Sequence, residues 1–116
     1  MTRIAVTGGR NFNNPSLVAE VFSEYSLKEI DLVMHGGANG LDSQARDWAM
    51  KNGIQTASFP ANWNYYGKSA GRIRNFCMLS AGQPDFLLAF PGGRGTENCI
   101  KTAKNLKIPV TIISDE

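Results

Sequence analysis

Apolar and polar positions follow two rhythms along the 116 residues of the chain. Five short runs are rich in β-branched and other apolar residues: RIAVT (3–7), DLVMH (31–35), IQTASF (54–59), DFLLAF (85–90) and PVTIIS (109–114). Four of these runs are nearly continuous in apolar residues, as expected of strands covered on both faces. The segments between them repeat with a period near 3.6. In PSLVAEVFSEYS (15–26), Pro15 suits a first helical turn, and Leu17, Val18, Val21, Phe22 and Tyr25 fall on one side. LDSQARDWAMKNG (41–53) and AGRIRNFCMLSAG (70–82) both end on glycine, a common C-terminal cap. GTENCIKTAKNLKI (95–108) stops before Pro109, which cannot continue a helix.

The predicted order is βαβαβαβαβ. Strict alternation implies a parallel sheet with right-handed crossovers and helices on both faces. The expectation is an α/β, Rossmann-like, doubly wound five-stranded sheet in the order 3-2-1-4-5, which places the first and fourth strands together at a topological switch point. Residues 1–116 read as one domain, with no repeat or linker. The one long connection, 60–69, is rich in aromatics and asparagine.

Composition narrows the classes. With 42% apolar and 19% charged residues, the chain is ordinary for a globular protein and poor for a disordered one. No apolar run approaches the ~20 residues needed to cross a bilayer. The first strand begins within two residues of Met1, so no signal peptide is expected and a cytoplasmic location fits. Cys77 and Cys99 are too few for a disulfide framework, lack zinc-ligand spacing, and are read as small buried apolar residues. No metal site and no cofactor is read from the sequence. A net charge of +2 does not by itself argue for nucleic acid. Its distribution says more. Between residues 61 and 109 the bases are Lys68, Arg72, Arg74, Arg94, Lys101, Lys104 and Lys107, against Asp85 and Glu97 alone.

Three predicted strands run into glycine-rich turns: TGGRNF (7–12), HGGANGLD (35–42) and FPGGRGT (90–96). At one sheet edge they would form a continuous floor, where glycine admits an anion close to the backbone and the following helix offers unpaired N–H groups. The candidate phosphate ligands are therefore Gly8, Gly9, Arg10, Gly36, Gly37, Asn39, Gly40, Gly92, Gly93, Gly95 and Thr96. Neither a P-loop nor a dinucleotide fingerprint is present. Arg74 is the candidate bidentate clamp. Arg72, two residues away, is expected on another side of its helix, facing water. Asp42 reads equally as a first-turn acid favoured by the helix dipole or as a ligand to a ribose or base. His35, at a strand end, is read as packing. The aromatic loop Trp63–Tyr66 could stack on a base, cover the sheet edge or form a dimer contact.

With those motifs in view, the chain resembles the SLOG superfamily. This Rossmann-like group contains the Smf/DprA proteins and the Lonely-guy phosphoribohydrolases, and the small YspA-like branch is the best match. The resemblance implies a nucleotide or nucleotide-like ligand, commonly a homodimer, and no membrane. It adds Asn75 and Asn98 to the ligand-binding residues. In the Lonely-guy enzymes, which cleave base from ribose 5-phosphate, a glutamate stands two residues after the threonine. The resemblance aligns that glutamate with Asn98, and Glu97 lies one residue away, a turn of about 100° on a helix. The catalytic candidates are Glu97 and Asp42. The readings implied are a nucleotide sensor or carrier, or a nucleoside monophosphate phosphoribohydrolase. A pterin-type cofactor carrier is an alternative. Single-stranded DNA binding, as in the Smf/DprA relatives, is disfavoured by the small net charge.

Overall fold

A computed structural model describes residues 2–114. Five parallel strands form one sheet: β1 (Thr2–Thr7), β2 (Ile30–His35), β3 (Gln55–Ser58), β4 (Phe86–Ala89) and β5 (Val110–Ile112), in the order β3-β2-β1-β4-β5. The Rossmann-like order expected from the alternating pattern is the order found. Five helices connect the strands: α1 (Pro15–Phe22), α2 (Leu41–Lys51), the short α3 (Trp63–Tyr66), α4 (Ala70–Gly82) and α5 (Arg94–Asn105). A 3₁₀ turn, Gly67–Ser69, joins α3 to α4.

Period-two alternation sorts the central strands onto two cores. Ile4, Val6, Val33 and Leu88 point toward α1 and α2, where they meet Val18, Phe22, Leu41 and Ala45. Ala5, Met34 and Leu87 point the other way, toward Met78, Leu79, Cys99 and Ala103 of α4 and α5. Every one of these side chains is 1% exposed or less, so the three inner strands are the continuous apolar runs of a sheet covered on both faces. The edge strands depart from that expectation. β3 and β5 have no fully buried residue, and Ile112 is 63% exposed.

Two helical segments also differ from the sequence reading. α1 stops at Phe22 rather than running to Ser26. The Ser23 hydroxyl turns back to the Glu20 carbonyl, at 2.6 Å, and Tyr25 leaves the helix to stack on Phe86 of β4 with ring centroids 5.3 Å apart. α3 interrupts the connection read as a loop, its first turn capped by the Asn62 side chain, which accepts from the Tyr65 N–H.

Candidate functional site

The C-terminal ends of β1, β2 and β4 open onto a cleft of about 660 Å³. This lies within the range of sites for small organic ligands. Its walls come from the three glycine-rich turns, the start of α5, and α3 with the first turns of α4. One residue stitches the turns together. The Gly9 carbonyl accepts from Phe12 N at 3.2 Å and from Leu41 N at 3.1 Å, while Gly9 N donates to the Pro91 carbonyl at 2.9 Å. Gln44 on α2 adds a second tie, accepting from Asn14 N at 2.9 Å and donating to the Phe12 carbonyl at 2.6 Å.

Electrostatics single the cleft out. Arg10, Lys68, Arg72, Arg74 and Arg94 line it beside one carboxylate, Asp42, a formal +4 in a chain whose total is +2. Arg74 is held from two sides. Its Nη1 donates to the Gly36 carbonyl at 2.8 Å and its Nε to Asn75 Oδ1 at 2.9 Å, leaving Nη2 without a partner among the described residues. Asn75 is 4% exposed and passes the connection on, donating through Nδ2 to Asn98 Oδ1 at 3.0 Å and to the Gly95 carbonyl at 3.2 Å. Asn75 and Asn98 thus tie α4 to the start of α5 while facing the cleft. Arg72 faces the cleft as well, not solvent alone, with Nη2 on Ser69 Oγ at 3.2 Å.

The start of α5 is open. Gly93 is its cap residue and supplies no side-chain hydrogen bond. The N–H groups of Arg94, Gly95 and Thr96 have no acceptor among the described residues, and all three residues line the cleft. At α1, by contrast, Asn14 Oδ1 accepts from Leu17 N at 3.1 Å, the ordinary way of satisfying a helix start.

Not every candidate reaches the cleft. Glu97 is exposed and does not line it, whereas its neighbour Asn98 does, because one step around a helix turns the side chain by about 100°. Gly37 and Asn39 face outward. Gly37 N is directed to His35 Nδ1 at 3.0 Å, and the turn shows the cleft Ala38 instead. Gly40 is packed behind the floor, where a Cβ would lie 2.6 Å from the Arg10 carbonyl carbon. Gly92 is packed on the Thr96 side chain and on Gly9 N. Gly8, Gly9, Arg10, Gly36, Asp42, Arg74, Asn75, Gly93, Gly95, Thr96 and Asn98 line one cleft together.

Comparison with known proteins places this cleft in a family. Residues 2–66, from β1 to α3, match the model of YAcAr, the YspA, cpYpsA-related SLOG family. The chain belongs to the SLOG family. It is similar to the Gene 61 protein of Mycobacterium phage D29, being 35% identical over 131 aligned positions that span 100% of this chain and 99% of that protein. The family match covers the first two glycine-rich turns of the SLOG cleft, and the third, on β4, lies beyond it.

The titratable groups of this SLOG chain serve its loops. Asp42 Oδ2 accepts from Gly36 N and Ala38 N, both at 3.2 Å, so the carboxylate folds the β2–α2 turn around itself. Burial raises its pKa, opposed by those N–H groups and by the Arg74 guanidinium. His35 is 3% exposed and takes a backbone proton donor at Nδ1, which fixes the neutral ring as the Nε2–H form. Burial, then the charge of Arg46, lowers its pKa. Burial likewise pushes the Cys99 thiol up to about 11, so it packs as a small inert residue. Cys77 is exposed, contrary to the expectation that both cysteines are buried, because it lies on the outer side of α4. Sequence reasoning missed Gln44 and Gly71. Nothing in a helix pattern marks one polar residue as a loop tie or one glycine as the neighbour of a distant ring. Among the described residues no cluster of three or more metal-ligating side chains occurs, and no helix is long and apolar enough to cross a membrane.

Proposed function

We propose that the SLOG cleft binds a nucleotide or nucleotide-derived ligand and seats its phosphate on the start of α5. One observation carries the reading. Gly93 and Gly95 have no positive φ, and a Cβ built on either meets nothing within 4 Å. Packing gives no reason for glycine at these two positions. A ligand pressed against the backbone does, and the free N–H groups of Arg94, Gly95 and Thr96, the partial positive charge of the helix start and the surrounding arginines all suit an oxyanion. Family membership supplies the nucleotide side of the reading.

The reading favours a sensor or carrier over a rapid N-glycosidase. Cleavage needs a carboxylate against the sugar as positive charge develops there. Glu97 is outside the cleft, and Asp42 already holds two backbone N–H groups. The test is calorimetry with AMP, GMP, CMP and UMP, with free base followed by chromatography. At least one nucleotide should bind with negligible release of base. Gly93→Ala and Gly95→Ala should each weaken binding at least tenfold, about 1.4 kcal/mol, with thermal unfolding unchanged. Unchanged affinity in both variants removes this loop from the site. Rapid base release, lost in Asp42→Asn, makes the protein an enzyme.

A further inference from the structure

One aromatic side chain lines the cleft. It is Trp63, which opens α3 and is 47% exposed. The fold does not bury it in either core. Gly71, in the first turn of α4, lies beside the indole, where a Cβ would be in ordinary contact at 3.4 Å from the ring. The other contact is Arg10, whose guanidinium carbon stands 5.2 Å from the ring centroid. Arg10 comes from the β1–α1 turn and Trp63 from the connection after β3, so the pair spans two walls of the cleft. A planar cation over an indole takes the place that a planar heterocycle takes in a stack.

We propose that Trp63 is the stacking wall for the base of the bound nucleotide, and that Arg10 occupies this place until the ligand arrives and then swings off it. The proposal rests on the phosphate reading above and adds the other end of the ligand. Of the two partners, Arg10 is the one free to move. It is exposed, on a turn, and makes no hydrogen bond through its guanidinium among the described residues. Trp63 stands on a helix whose start is held by the Asn62 cap. A released Arg10 remains at the cleft, where it can close on the ligand's phosphate or cover the outer face of the base. Stacking discriminates weakly among bases, since every base offers a π-face. Trp63 therefore accounts for selection of a nucleotide over a bare sugar phosphate, not for selection of one base.

The experiment compares ribose 5-phosphate with AMP, GMP, CMP and UMP, in the unmodified protein and in Trp63→Leu and Trp63→Phe. The unmodified protein should bind its best nucleotide at least about fivefold more tightly than ribose 5-phosphate, the smaller end of a base–aromatic stack. Trp63→Leu should erase that difference and leave ribose 5-phosphate within twofold. Trp63→Phe should restore most of it. Tryptophan emission should respond to the nucleotide and not to ribose 5-phosphate, while Trp48, stacked on Phe22 in the core at 4.5 Å, serves as an internal reference. If ribose 5-phosphate binds as tightly as every nucleotide, or if Trp63→Leu weakens both ligand types alike, the stacking wall is wrong and the phosphate seat stands. If no ligand binds the unmodified protein, both fail.

Discussion

Two turns of this protein look alike on paper and are opposites in space. GGANG follows β2 and PGGRG follows β4. In the first, each glycine answers to the fold. A Cβ on Gly36 would strike the Arg74 guanidinium, one on Gly37 would lie 2.9 Å from Ser58 Oγ, and Gly40, at φ +79°, backs onto the Gly9 and Arg10 main chain. In the second, only Gly92 is packed, and Gly93 and Gly95 look into open space. The β2 turn is a closed piece of construction, pinned from within by Asp42 and from above by Arg74. The β4 turn is left unfinished on the side facing the cleft. A glycine signals a ligand only where the fold offers no other reason for it.

Substitution can break that contrast. The largest effect is expected at Gly40→Ala, which combines a conformation closed to L-residues with overlap on backbone that cannot yield. It should destabilise the protein by about 3 kcal/mol or more, read by urea denaturation, whereas Gly95→Ala should lie within about 0.5 kcal/mol of the parent. Equal losses would dissolve the distinction between the two turns. A middle-sized effect is expected at Asp42. Asp42→Ala leaves the Gly36 and Ala38 N–H groups without their acceptor and should cost about 1–3 kcal/mol, while Asp42→Asn retains an acceptor oxygen and should cost less. If Asn costs as much as Ala, it is the charge beside Arg74 that closes the turn.

The smallest effect concerns acid. His35 titrates below its ordinary value near 6.5 in the folded protein, so the unfolded chain takes up the proton first. Its contribution to stability is complete above about pH 6.5 and falls as the pH drops toward the folded value. Protonation at Nδ1 also removes the acceptor for Gly37 N. Asp42 runs the other way. Its raised pKa gives a contribution present below the ordinary carboxylate value and lost as pH rises through the folded one. Denaturation between pH 8 and 5 in the Asp42→Asn background isolates the histidine. A flat profile there would mean that His35 packs without influence on the β2 turn.

Much of the architecture was readable because it depends on local periodicity. Alternating apolar runs and helical segments led to the parallel sheet, and pairing β1 with β4 at the switch point gave the order β3-β2-β1-β4-β5. What failed depended on neighbours distant in sequence. α3 buries no residue, and its start is held by the Asn62 cap. Glu97 and Asn98 are adjacent letters, yet only the second faces the cleft. Three glycine pairs marked the sheet edge where the cleft lies, but which glycines are left unpacked followed from where each missing Cβ would point. Only the packed chain defines that direction.

The uneven placement of charge gives the molecule a front and a back. A formal +4 is gathered at one cleft, while over the rest of the described residues seven basic and seven acidic side chains balance. A small polyanion meets no net charge over most of its approaches and is drawn in at one. Encounter is therefore guided before any contact forms, and the guidance reaches about 8 Å at physiological ionic strength. Added salt acts first on arrival. On the proposed phosphate seat, the rate of capture falls steeply, while the residence time of a ligand held against the backbone of α5 changes much less.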